Sequence, residues 1–168
     1  MKRFIIGYFL SLGALLFIFY TPFLAFSSLI NTMQTTLTLE ILAVFLADTE
    51  LVGIDIWIHP HYKIIISDAC NGLMPILFFY ASIFAYPSSF SLKMYAMIVG
   101  YIVFFIVNIV RILGVVWMTK YGEGQGEFYW SHDIVGNILL MLTGLGLFIG
   151  FIHLSTKTRV KDKKLIDL

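Results

Sequence analysis

The chain has 168 residues, of which 60% are hydrophobic, 17% aromatic and 12% charged, with a formal net charge of +1. A soluble domain usually has about 25% charged residues, so this composition, with a mean hydropathy of +0.91, points to an all-α integral membrane protein. It argues against a nucleic-acid partner, because the basic residues gather at the ends and in one short loop, and a single cysteine excludes an intrachain disulfide. The length allows one membrane domain over 1–168, with 157–168 as a basic cytoplasmic tail.

Four apolar runs predict membrane spans: Phe4–Phe26, Gly72–Tyr86, Leu92–Met118 and Ile134–Ile152. A hydrocarbon core of about 30 Å needs about 20 helical residues, so the second is short and is expected to borrow residues at its ends. The first has Lys2 and Arg3 before it. Its apolar stretch is too long for a signal peptide and no A-x-A site follows, which predicts an uncleaved anchor. Between the first two spans, Thr32–Ala47 lacks Gly and Pro and carries Met33, Leu37, Ile41, Val44 and Phe45 at helical spacing. It predicts a helix lying at the outer interface; a fifth span is disfavoured by the shortness of Leu37–Ala47 and by Glu40. Leu51–Ile58 and Tyr62–Ser67 are β-rich runs separated by His59-Pro60-His61, which predicts a short hairpin leading into Cys70. In the last span, Gly146 and Gly150 form a small-xxx-small pair that predicts close helix packing.

Charge sets the orientation. If the four spans alternate, Lys2, Arg3, Lys93, Lys157, Arg159, Lys161, Lys163 and Lys164 share one side, while Lys63 and Lys120 lie on the other. Eight against two predicts both termini in the cytoplasm and places Ser27–Ala69 and Lys120–Asp133 outside.

The same alternation brings three unusual polar residues to one face. Cys70 opens the second span within Ser67-Asp68-Ala69-Cys70-Asn71-Gly72. Ser67, Asp68 or Asn71 is expected to cap that helix, and a cysteine in its first turn would feel the positive end of the helix dipole, which favours thiolate. Arg111 is the only charge between Met94 and Met118, seven residues from the outer end, hence about 10 Å inside it. Asn108 shares its face at i−3, with Tyr101, Phe104 and Val115 continuing the stripe, so Arg111 is expected to face protein or water rather than lipid. His132 opens the fourth span after the Gly-rich stretch Tyr121–Gly126. A thiol, a guanidinium and an imidazole at one interface predict acyl transfer through a cysteine. No cofactor is expected, and His59 and His61 lack the spacing of a metal site.

Asp68-Ala69-Cys70-Asn71-Gly72, Asn108-Ile109-Val110-Arg111 and Ser131-His132 resemble, in order and on the right side, the signature blocks of the exosortase/archaeosortase family. Many members carry Ser after the cysteine and an Arg beyond it. Asn71 and the neutral Leu73-Met74-Pro75 mark this chain as similar to a compact, divergent subgroup. The resemblance implies a multi-pass cysteine transpeptidase of the cytoplasmic membrane with its site facing outwards. Its implied substrates are exported proteins with a C-terminal motif, transmembrane helix and basic tail. Cys70 would be the nucleophile, Arg111 the oxyanion stabiliser, His132 the general acid and base, and Asn108 the support of Arg111. The alternative class is a non-enzymatic membrane assembly or secretion factor in which Arg111 pairs with a partner helix and Cys70 is packing.

Overall fold

The computed structural model describes residues 2–20, 25–47, 50–59, 61–66, 68–121 and 134–166. The elements in chain order are α1 (Lys2–Tyr20), α2 (Ala25–Phe45), β1 (Leu51–Val52), β2 (Asp55–His59), β3 (Tyr62–Ile65), a 3-10 turn (Asp68–Asn71), α3 (Leu73–Ala85), α4 (Phe90–Tyr121) and α5 (Gly136–Ile166). α1, α4 and Gly136–Thr158 of α5 are long and apolar enough to cross a membrane, while α3 is a shorter apolar helix. Among the described residues, three helices are therefore span-length, and the count of four expected spans is not confirmed. The first apolar run also divides, since α1 ends at Tyr20 and α2 begins at Ala25.

α3 does not borrow residues at its ends. Gly72 takes the left-handed conformation at φ 67° and starts the helix without a side-chain cap. Pro75 sits in the first turn, where a missing N–H does no harm. Tyr86 is extended at ψ 131°, as a residue before proline prefers, and ends it. Thirteen residues make about 20 Å of helix, well short of the hydrocarbon thickness. Lys93 Nζ donates to Phe84 O at 2.8 Å, which levels the end of α3 with the start of α4. Counting up both helices from that level puts Cys70 beside Asn108, one turn below Arg111. The shortness of α3 is what carries the cysteine down to the arginine.

α2 is longer than expected. It starts seven residues before Thr32 and turns its apolar stripe outward: Leu29, Met33, Leu37, Val44 and Phe45 are exposed, whereas Gln34 and Thr38 are buried with Leu42. A helix lying on the core from the water side would show the opposite pattern. Apolar outside and polar inside is the pattern of a helix with lipid at its back.

The expected hairpin is a three-stranded antiparallel meander, β1-β2-β3. The run Leu51–Ile58 breaks at Gly53, whose φ of 66° permits a tight turn between Val52 and Asp55. Period-two alternation then puts Ile56, Ile58, Ile64 and Ile66 inside, against Leu42 of α2 and Ile112, Val115 and Val116 of α4. Outside, Lys63 pairs with Asp55 at 2.6 Å and lies over the Trp57 ring. A second core joins α3, α4 and α5 through Ile76, Phe79, Ile83, Phe104, Leu140 and Phe151. Among the described residues, a Cβ at Gly146 or Gly150 would meet nothing within 4 Å; the glycines at helix contacts are Gly7 against Ala85, Gly100 against Phe79, Gly136 against Arg111 and Gly144 against Phe104.

Candidate active site

Cys70 and Arg111 belong to one buried polar chain. Asn108 joins them: its Nδ2 donates to Cys70 O at 2.7 Å, and its Oδ1 accepts from the Arg111 guanidinium at 3.3 Å. Asn108 is 1% exposed and Arg111 6%, so the arginine faces protein and does not snorkel to water. A guanidinium in so dry a place has strong reason to keep its donors aimed at acceptors. The helix stripe does the placing, since Phe104, Asn108, Arg111 and Val115 share one buried face of α4 while Ile106, Val110 and Trp117 lie exposed on others.

Cys70 is not in the first turn of α3. It sits in the 3-10 turn, two residues before the Gly72 cap, so the helix-dipole argument loses most of its force there. Its Sγ lies 4.0 Å from Ile65 O, a weak S–H contact, and it joins the apolar cluster with Ile66, Ile112 and Val115. The thiol is nearly covered, so a substrate has to displace part of that cover. Asn71, an expected cap, instead points its amide at α2: Nδ2 donates to Thr35 Oγ1 at 3.0 Å and to Asn31 Oδ1 at 3.4 Å. Gln34 Nε2 donates to Asn71 O at 2.5 Å. His132 lies outside the described residues, as does the Gly-rich stretch from Gly122.

Beside the turn is a cavity of about 360 Å³ bounded by Tyr20, Gly72, Pro75, Arg111 and Asn137, among others. Gly136 keeps it open against the arginine: a Cβ there would stand 2.4 Å from Arg111 Nε. Gly72 is constrained twice, by its positive φ and by Asn108 Oδ1, 3.2 Å from where its Cβ would be. The cavity continues along Met74, Pro75, Asn137 and Leu140 into a mostly apolar groove of about 600 Å³ between α1, α3 and α5. Sequence reasoning missed Gln34, Gly136 and Asn137. Gln34 did leave a signal, the spacing Asn31, Gln34, Thr35, Thr38 at i, i+3, i+4, i+7.

These features define a helical membrane protein with a cysteine and an arginine buried together at the end opposite Lys2, Arg3, Lys93 and Lys157. The model of the transmembrane exosortase family (Exosortase_EpsH) matches residues 3–150, and the chain belongs to that family. Neither a curated protein nor a solved structure matches it. Family and fold together support an exosortase-type function in a membrane.

Proposed function

We propose that the protein is a membrane-embedded cysteine protease and transpeptidase. It removes C-terminal sorting signals from exported proteins at the outer face of the cytoplasmic membrane and passes them to an acceptor. Both termini are cytoplasmic, and the substrates carry a C-terminal transmembrane helix with a basic tail. The observation that carries this reading is the Asn108 bridge between the cysteine turn and the Arg111 guanidinium.

In this mechanism the Cys70 thiol first passes its proton to His132; the thiolate Sγ attacks the scissile carbonyl carbon and the C=O electrons move to oxygen, giving a tetrahedral oxyanion. Arg111 stabilises that oxyanion, since a fixed, permanently charged donor in a dry site does so most effectively. Collapse breaks the C–N bond; the amine leaves with a proton from His132, and the acyl group stays as a Cys70 thioester. An acceptor nucleophile, deprotonated by His132, attacks the thioester, and the Cys70 thiolate leaves. A substrate helix already in the bilayer presents its cleavage site at a set depth, which turns the encounter into a nearly intramolecular one.

The test is Cys70→Ser in intact membranes with a reporter carrying such a signal. Cleavage should stop while the protein still inserts, and wild type should yield a hydroxylamine-sensitive acyl adduct on Cys70. Normal cleavage by Cys70→Ser would end this reading and return the assembly-factor alternative.

A further inference from the structure

The broken backbone ahead of α3 raises an accounting question. At membrane depth, carbonyls outside regular helix need partners from within the protein. Two consecutive carbonyls here are met by side-chain amides from two different helices: Cys70 O by Asn108 of α4, and Asn71 O by Gln34 of α2. All three polar side chains involved, Gln34, Asn71 and Asn108, are at least 98% buried. Facing a carbonyl, Gln34 must present its NH₂, and this strands its Oε1, which among the described residues has no hydrogen-bond partner. A buried orphan acceptor is costly, and one kept beside a candidate nucleophile calls for a functional explanation.

We propose that Gln34 is a positioning residue for Cys70, and that α2 and α4 form the two jaws of a mount for the cysteine turn. This rests on the reading of Cys70 as the nucleophile. The Asn108 contact fixes the peptide plane between residues 70 and 71, and the Gln34 contact fixes the next one, between 71 and 72. The two planes flank Asn71, so the residue that follows the cysteine is clamped between α2 and α4, and the turn carrying Cys70 is anchored to the helix that bears Arg111. The Asn71 amide, bonded to Thr35 and Asn31, draws the turn against α2. Without Gln34 the second plane is free, and the thiol spends less time on the line of attack.

Two variants of the full-length protein in lipid vesicles separate positioning from simple satisfaction of the backbone. Gln34→Met exchanges the orphan acceptor for another, Asn71 O, so thermal stability should change little. Its kcat per folded molecule should fall at least about tenfold with KM unchanged, since small misplacements of reacting groups have effects of that order. Gln34→Glu keeps a donor only while its carboxyl is protonated. Its kcat should approach wild type at acidic pH and fall to the Gln34→Met level as pH rises through that titration. Iodoacetamide alkylation of Cys70, the chain's single cysteine, should be severalfold faster in Gln34→Met than in wild type. A kcat for Gln34→Met within twofold of wild type, or a wild-type pH profile in Gln34→Glu, would overturn the proposal. If wild type cleaves no reporter, alkylation decides alone. A faster rate in Gln34→Met then keeps the mount while the transpeptidase reading falls, and an unchanged rate ends both.

Discussion

The two ends of the helix bundle are built on different principles. At the end bearing Lys2, Arg3, Lys93 and Lys157, aromatic rings fill the space: Phe79 against Phe104 at 5.7 Å, Tyr86 edge-on to Phe151 at 5.6 Å, Phe148 beside both. Polar contact there is modest, as where Ser155 meets Ser88 at 3.0 Å. At the other end Gln34, Thr38, Asn71, Asn108 and Arg111 are buried, with Arg111 beside a cavity and Asn71 in the turn ahead of α3. A membrane protein gains stability from close packing and loses it wherever polar groups are buried short of partners. The aromatic end therefore reads as scaffold, and the polar end as the place where function is kept against stability.

Arg111→Lys should break the polar end most sharply. Lysine keeps the charge and enters a membrane as readily, so an arginine present only for insertion would tolerate the change. Ammonium lacks the planar fork that serves Asn108 and an oxyanion together. Losing one good oxyanion donor costs about 2.7–4 kcal/mol, or roughly 10²–10³ in rate. Normal insertion with cleavage slowed at least about tenfold is expected, followed by reporter turnover in membranes. Wild-type turnover would detach Arg111 from the chemistry.

A matched pair of glycine substitutions sharpens the contrast. In Gly100→Ala the new Cβ would lie 2.3 Å from Phe79 Cε1, a stiff ring held in the aromatic cluster. Overpacking of this kind costs about 1–3 kcal/mol, so stability should fall while turnover per folded molecule holds. In Gly136→Ala the Cβ meets the middle of the long Arg111 side chain instead. Atoms of a flexible side chain give way more cheaply than a packed ring, so stability should fall less than in Gly100→Ala. Turnover should drop about tenfold because the guanidinium has moved. Thermal unfolding and turnover measured on both variants check the crossing; parallel losses in the two would erase the distinction between the ends.

How much of this was readable beforehand follows the same division. Helices with one continuous period were legible: α4 and its buried face of Phe104, Asn108, Arg111 and Val115 were predicted from spacing, and so was a sheet ahead of Cys70. What failed depends on surroundings that spacing does not encode. An apolar stripe says which face is apolar but not where the helix begins; α2 starts at Ala25, seven residues before the expected Thr32. Asn71 carries a side chain suited to capping α3, yet Asn31 and Thr35, 40 and 36 residues away, compete for it and win. Gly146 and Gly150 have the spacing for close packing but no neighbour among the described residues, while Gly136, with no motif around it, has Arg111.

The smallest effect is expected from the second cation at the polar end, and it tests how much burial matters to the first. Lys120, in the last turn of α4, donates to Glu50 Oε1, with both side chains partly exposed. Glu50 also accepts from Ala47 N–H at 3.3 Å, and its own carbonyl accepts from Trp57 N–H at 2.7 Å, so this residue ties the sheet to the end of α4. The Lys120 hydrogen bond first, and the Ala47 N–H second, hold the Glu50 carboxyl below its ordinary range. A carboxyl depressed in the folded state adds stability that is fully present above its unfolded value of about 4.3 and is lost as pH falls through the folded value. Nothing should change between neutral pH and about pH 5; below about pH 4 the sheet should loosen slightly. Water and salt screen an exposed pair, so Glu50→Gln should speed amide exchange in the β1–β3 sheet only a few-fold near neutral pH, and less so in high salt. Turnover should stay at the wild-type level, in contrast to Arg111→Lys. The wild type should converge on Glu50→Gln as pH falls through the acid range. A difference that persists there would mean that Glu50 holds the sheet by packing rather than charge.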